Sequence, residues 1–155
     1  MLSNFDLEDL AIQYRIDNFN VISKDEVKDI KKIKAGNYVL NMENERDDKG
    51  EINNGSHWIS MFISPYFECF YFDSFGFQAP QAVMKFMKKS NKKICYNNRQ
   101  IQDISSQMCG WFCLAFLRHM NNKPIRKSYV DWYEEFIDGF NDNTKSNDNL
   151  LKGLF

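Results

Sequence analysis

The sequence lacks any long hydrophobic run, because no segment reaches the roughly 18 apolar residues that a helix needs to cross a bilayer. Its first residues are polar and acidic, without the basic and apolar regions of a signal peptide. The four cysteines do not have the spacing of a secreted, disulfide-linked scaffold. We therefore expect free thiols in a reducing, intracellular location, with no secretion and no membrane partner.

An excess of charge of one sign is also lacking. The 20 Lys and Arg residues nearly balance the 21 Asp and Glu residues, so the net charge of −1 provides no general attraction for nucleic acid. Lysines do cluster at residues 28–34 and 85–93. We interpret both clusters as solvated faces, and a docking patch for a polyanion is the weaker alternative.

The spacing of apolar residues predicts the secondary structure. Three helices are expected at residues 4–14, 108–120 and 128–140. A short helix should follow the capping box at residues 23–26, and another should begin at Pro80. Strands are expected at residues 38–42, 57–63, 67–72 and 94–96. The second and third of these strands should form a hairpin at the centre of the sheet.

The pattern also predicts how the chain is divided. Residues 44–54 are polar and charged, which predicts a surface loop. Residues 141–149 are polar enough to predict a mobile segment. We therefore expect one α+β domain at residues 1–140, followed by a polar tail with an apolar end at residues 141–155.

A candidate nucleophile stands at the start of the apolar run 108–120. Cys109 and Gly110 occupy the position where a buried helix should begin. The first N–H groups of a helix have no partner within it and carry partial positive charge, which favours the nucleophilic thiolate. Gly110 would leave room for a substrate backbone to come close. These residues predict a thiol enzyme.

The base can be found by elimination, because the sequence contains only two histidines. His119 lies roughly 15 Å along the predicted helix from Cys109 and cannot reach its sulfur, so we interpret it as an exposed residue near the helix end. His57 is therefore the only candidate base. Asp73 ends the neighbouring strand of the predicted hairpin and would orient the imidazole. The alternative for Asp73 is a turn residue that binds local backbone amides.

Acyl transfer also needs hydrogen-bond donors where the tetrahedral oxyanion forms. The backbone N–H of Cys109 is one candidate donor. A side-chain amide upstream is another, but spacing does not choose among Gln100, Gln102 and Gln107.

The other three cysteines have structural interpretations. Cys69 and Cys113 lie in apolar runs and should be packed, whereas Cys95 follows lysines and should be more accessible. We predict no metal site, because the sequence has no Cys-x-x-Cys pair to begin a zinc shell.

In combination, these residues resemble a known family. Gly-Ser-His57-Trp58, the block Tyr-Phe-Asp73-Ser-Phe-Gly, and Gln102 seven residues before Cys109-Gly are similar to the motifs of the adenovirus-type maturation proteases, the adenain-like family. The match is strongest with relatives carried by virophages and polinton-like elements. It covers roughly residues 5–120 and includes a further block at residues 18–26.

The resemblance implies a papain-like or adenain-like fold, in which a central helix packs on a mostly antiparallel sheet. It implies that Cys109 is the nucleophile and His57 the general base. Asp73 would orient the base, and Gln102 rather than another glutamine would line the oxyanion hole. Trp58 would lie beside the histidine, where its ring would stabilise an imidazolium.

The resemblance also implies a function. It predicts a monomeric viral endopeptidase, in the virion and infected cell, that cleaves capsid or core precursors at small-residue, Gly-containing sites. A peptide or DNA activator occurs in the family; Cys95 lies in a comparable place to the cysteine that links the peptide, whereas the net charge gives DNA little support.

Two alternative functions stay open. One is a protease of the same clan that removes ubiquitin-like modifiers, and the other is a non-catalytic virion assembly protein. Residues 151–155 loosely imitate the family's cleavage pattern, so a tail that enters the cleft is weighed against one that packs on the surface.

Overall fold

The computed structural model describes residues 1–43, 48–50 and 57–155. The predicted polar loop at 44–54 falls mostly outside these residues, as do Gly55 and Ser56 of the motif before His57. The helices of the described residues are α1 (Asn4–Gln13), α2 (Gln81–Lys89), α3 (Cys109–Asn121), α4 (Tyr129–Asp138) and α5 (Asn147–Lys152). The strands are β1 (Phe19–Ser23), β2 (Gly36–Asn41), β3 (Trp58–Ile63), β4 (Glu68–Phe72) and β5 (Lys93–Tyr96).

The five strands form one sheet in the order β1-β2-β3-β4-β5. The predicted hairpin of β3 and β4 is antiparallel and central, and β2 also pairs with β3 in antiparallel fashion. Both outer pairs, β1 with β2 and β4 with β5, are parallel, so the sheet is mixed rather than mostly antiparallel. The expected α+β architecture is confirmed.

The sheet is buried on both faces because helices cover each side. Successive residues of a strand point to opposite faces, so Phe70 and Phe72 of β4 pack with α3 and α4, whereas Cys69 and Tyr71 pack with α2. This two-sided burial explains why β3 and β4 are apolar at consecutive positions rather than alternately.

Helix α3 is the central helix, as predicted. The rings of Phe72 on β4 and Phe116 on α3 stack with centroids 4.8 Å apart. Burying one such phenylalanine contributes roughly 1.5–3 kcal/mol relative to leaving it exposed. Packing of this kind fixes the orientation of α3 on the sheet. No helix in residues 1–43, 48–50 and 57–155 has the length and apolar character needed to cross a membrane.

The segment after residue 140 is ordered, so the expected mobile segment is wrong. A 3₁₀ turn at Thr144–Ser146 leads into α5, in which Leu151 is fully buried. The Asn147 amide donates to the carbonyl of Ile101 at 2.8 Å. The chain end packs on the surface, where the Phe155 ring contacts Tyr14, which favours the surface alternative for the tail.

The expected capping box forms only in part. The Glu26 carboxylate does accept the backbone N–H of Ser23 at 2.9 Å, but the helix after it is only a single 3₁₀ turn at Val27–Asp29. A complete capping box instead opens α1, where Ser3 and Asp6 bond each other's backbone N–H groups.

Candidate active site

Cys109 is the first residue of α3, as the sequence predicts. Cys109 is 2% exposed to solvent, and no side chain caps the first turn of the helix. The N–H groups of this turn are therefore left without a side-chain acceptor, and the positive end of the helix dipole lies at the thiol. Backbone N–H donors and the positive end of the helix dipole therefore lie beside the Cys109 sulfur.

His57 and Asp73 meet across the central hairpin. His57 precedes β3 and Asp73 follows β4, and the antiparallel register that pairs Ser60 with Phe72 brings these two strand ends together. The Nε2 atom of His57 lies 2.9 Å from Oδ1 of Asp73, and the Phe75 N–H donates to the same oxygen at 2.8 Å. The Asp73 carboxylate therefore accepts hydrogen bonds both from the imidazole and from the backbone of the turn that follows it.

The electrostatics of the site favour a protonated imidazole. Burial lowers the pKa of His57, but the hydrogen bond to Asp73, the charge of that carboxylate and the neighbouring Cys109 sulfur outweigh burial and raise the pKa to about 9. Nε2 is taken by Asp73, which leaves Nδ1 for the thiol. Nδ1 is buried and makes no close hydrogen bond.

The aromatic ring packed against His57 is that of Phe75, with centroids 4.9 Å apart. The Trp58 indole instead donates its N–H to the carbonyl of Leu2 at 3.0 Å. Leu2 also fills the space beside Gly110, where an added Cβ would lie 3.1 Å from the leucine side chain. The side chain of Leu2, from the N-terminal segment, therefore lies on the Cβ side of Gly110.

Gln102 is the buried one of the three candidate glutamines. It is 1% exposed, whereas Gln100 and Gln107 are exposed. Its Oε1 accepts from the Ser74 hydroxyl at 2.5 Å, and its Nε2 donates to the carbonyl of Ser106 at 2.9 Å. The amide is thus held between the residue after Asp73 and the loop that leads into α3.

Two further residues support the Asp73 turn: Asn97, which the sequence analysis missed, and Gly76, which it gave only as part of a motif. Asn97 holds the backbone of Asp73, with its Oδ1 accepting the Asp73 N–H at 3.1 Å and its Nδ2 donating to the Asp73 carbonyl at 2.6 Å. Gly76 has φ of +75°, and an added Cβ would lie 2.7 Å from the backbone of Arg99. A glycine shortly after Asp73 is a sequence signal for a tight turn. Asn97 is 24 residues from Asp73, and no local sequence pattern indicates that it contacts this turn.

The remaining cysteines are unsuited to nucleophilic chemistry. Burial raises the pKa of Cys69 to about 12, and it also raises the pKa of Cys113, which is confirmed as a core thiol. Cys95 is half-buried, and burial raises its pKa too. No cluster of three or more His, Cys, Asp or Glu side chains suited to a metal occurs in the described part of the chain.

His119 is half-buried rather than exposed, so its sequence interpretation needs correction. Its Nε2 lies 2.6 Å from the carbonyl of Trp132, and the two rings stack with centroids 4.0 Å apart. Because it lies in the last turns of the helix that Cys109 begins, it is remote from the thiol, as expected.

Comparison with known proteins supports the fold. No protein-family profile matches the chain, and no curated protein sequence matches it. Its structure is similar to that of the ASFV pS273R protease in a selenomethionine crystal form, with a TM-score of 0.54 at 17% identity, covering 88% of this chain. A second crystal structure of that protease gives a TM-score of 0.52 at 18% identity, covering 82% of this chain.

The chain spans 65% and 57% of the lengths of these two protease chains. At this level of identity the likeness establishes the fold. The chain shares its α+β architecture with that protease, and its central helix packs on the sheet as the papain-like or adenain-like resemblance implied.

Proposed function

We propose that this protein is a cysteine endopeptidase in which Cys109 is the nucleophile, His57 the general base and acid, and Asp73 the group that orients His57. The observation that carries the proposal is the position of a thiol at the uncapped start of α3, beside an imidazole that bonds the buried Asp73 carboxylate. A thiolate and an imidazolium are the forms that thiol proteases use.

The first half of the proposed reaction forms a thioester. The Cys109 thiolate attacks the scissile carbonyl carbon, and the carbonyl oxygen becomes an oxyanion that accepts from the Cys109 N–H and from Gln102. The proton on Nδ1 of His57 passes to the leaving amine, and the carbon–nitrogen bond breaks. Asp73 stabilises the imidazolium before this transfer and keeps Nδ1 directed at the reacting atoms.

The second half hydrolyses the thioester. His57 is now neutral and takes a proton from water as the water oxygen attacks the thioester carbonyl. The carbon–sulfur bond breaks, the acid product leaves, and the thiolate is restored beside a protonated imidazole. Apart from the substrate and water, every group that takes part in these reaction steps belongs to the chain itself.

The biological role we propose is maturation of viral capsid or core precursors, with cleavage at small-residue, Gly-containing sites. The motifs around His57, Asp73, Gln102 and Cys109 support this role, and so does the fold shared with the ASFV pS273R protease. The proposal includes a monomeric enzyme that acts in the virion and infected cell.

The first test is the pH profile of iodoacetamide labelling, mapped residue by residue with mass spectrometry. We expect Cys109 alone to react quickly below pH 7, and we expect His57→Ala to abolish this reactivity. Cys95→Ala is the matched control, because it removes a half-buried thiol outside the site. If Cys109 reacts no faster than Cys95 in the wild-type protein, the thiolate–imidazolium pair does not form and the proposal fails.

The second test is proteolysis. A peptide library with an aliphatic residue at the fourth position and Gly at the second position before the cut should be cleaved by the wild type and by Cys95→Ala. Cys109→Ala should be inactive while retaining its fold by circular dichroism. Cleavage of a ubiquitin-like fusion in preference to a capsid precursor would redirect the proposal to modifier removal.

A further inference from the structure

The side chain of Gln102 can serve as an oxyanion donor in only one of its two amide orientations. If the amide turns by 180°, Oε1 replaces Nε2 and an acceptor faces the developing negative charge. Whatever fixes the orientation of this amide therefore controls whether the residue helps or hinders the chemistry proposed above.

Two neighbours fix that orientation. The backbone carbonyl of Ser106 can only accept, so the amide atom 2.9 Å from it has to be the nitrogen. Oε1 then faces the Ser74 hydroxyl at 2.5 Å, and the hydroxyl has to donate to it. Both Ser74 and Gln102 are 1% exposed, so water does not compete readily for these bonds.

The count of donor hydrogens leaves one available for the reaction. Nε2 carries two hydrogens, and Ser106 takes one of them. We propose that Ser74 is a positioning residue for the oxyanion donor: by donating to Oε1 it holds the Gln102 amide so that the second Nε2 hydrogen is kept for the oxyanion. This inference rests on the proposed function and adds to it a residue outside the thiol, base and carboxylate.

The backbone of Ser74 supports the same role. Its carbonyl accepts the N–H groups of both Ile101 and Gln102, each at 2.8 Å. Because Ser74 directly follows Asp73, one short turn holds the carboxylate that bonds His57 and the amide of Gln102. The two halves of the site are therefore coupled through a single residue.

The test compares two small reagents that attack the same sulfur. With p-nitrophenyl acetate the thiolate forms a bond to the carbonyl carbon, an oxyanion develops, and p-nitrophenolate leaves with its electron pair. With iodoacetamide the thiolate displaces iodide from carbon, and no oxyanion forms. The ratio of the two rate constants at Cys109 therefore reports on the oxyanion donors and does not depend on peptide specificity.

We expect Ser74→Ala to lower the acylation rate constant roughly tenfold while the alkylation rate constant and its pH profile stay unchanged. Gln102→Ala should lower acylation by roughly 10² to 10³-fold. In the Gln102→Ala background, Ser74→Ala should have no further effect. Ser105→Ala is the matched control, since that serine is exposed in the loop between Gln102 and α3 and its hydroxyl donates to Asp103.

Three results separate this inference from the proposed function. An unchanged ratio in Ser74→Ala would overturn the inference. A parallel loss of both reactions would also overturn it, because the hydroxyl would then act on the thiol–imidazole pair or on the fold. A wild-type Cys109 that iodoacetamide labels no faster than Cys95 would instead refute the proposed function, before any serine variant is made.

Discussion

A histidine lies near each end of α3, His57 from the segment before β3 and His119 from α3 itself, and the two behave in opposite ways. At the first turn, His57 bonds Asp73 and faces Cys109, and its pKa is raised to about 9. Near the last turn, His119 stacks on Trp132, and burial lowers its pKa below the ordinary value. A cavity of about 520 Å³ lies at this second end, lined by Arg118 and His119 among others.

The comparison shows that burial alone does not make a reactive histidine. Both residues are half-buried, so desolvation disfavours the charged form of each. The His57 ring bonds a buried carboxylate, whereas the His119 ring bonds a backbone carbonyl, and the charge of Glu135 does not outweigh the effect of burial on His119. The charged partners decide which histidine is protonated at neutral pH.

The largest expected effect is the difference between alanine variants of the two histidines. His57→Ala should lower peptide cleavage by roughly 10² to 10⁴-fold, because it removes the proton donor and acceptor. His119→Ala should leave cleavage unchanged but lower the free energy of unfolding by roughly 1–3 kcal/mol, because it removes a buried hydrogen bond and ring contact. Initial rates and urea unfolding measure both. Equal losses of activity in the two variants would contradict the comparison.

The next effect concerns titration. Protonated His57 is stabilised in the folded protein, so its contribution to stability is complete below pH 6.5 and is lost as the pH rises through about 9. Asp73→Asn removes the charge and should move the pKa of His57 back towards or below 6.5. The NMR titration of the two imidazoles measures this change, with His119, whose pKa stays below 6.5, as the internal reference. A His57 pKa that does not respond to the substitution would exclude Asp73 as its partner.

The smallest expected effect is on stability at the Asp73 turn. Gly76→Ala should cost roughly 1–3 kcal/mol, because the new Cβ meets the backbone of Arg99 at 2.7 Å in addition to the strain of a positive φ. Gly50→Ala is the matched control, with φ of +79° and no atom of the described residues within 4 Å of the added Cβ. Thermal unfolding should show a larger loss at Gly76. Similar losses would mean that φ strain alone matters there.

Much of the fold was predictable because its signals are local. The continuous apolar run at residues 108–120 predicted α3 to within a residue, and the aromatic runs on either side of residues 64–66 predicted the central hairpin. The elements that were missed depend on distant partners. Strand β1 is a parallel edge strand whose residues pair with β2, for example Val21 with Val39, and half-buried edge strands have a weak periodic pattern.

The C-terminal segment was mistaken for a mobile tail for a related reason. Its polar composition is real, but the polar side chains bond the loop that carries Gln102. Asn147 donates to Ile101, and Asp148 accepts from the Ser106 hydroxyl at 2.9 Å. Composition measures the average cost of burial and does not reveal specific polar partners.

The sequence by itself determined which residue types are available to the candidate site: one histidine within reach of one helix-opening cysteine, an aspartate at a strand end, and a small set of glutamines. Only the tertiary structure decided that Phe75 rather than Trp58 packs on His57, that Leu2 occupies the space beside Gly110, and that Ser74 bonds Gln102. Local periodicity records which faces are buried, whereas these contacts join residues far apart in the chain, and their geometry depends on how the sheet and α3 pack together.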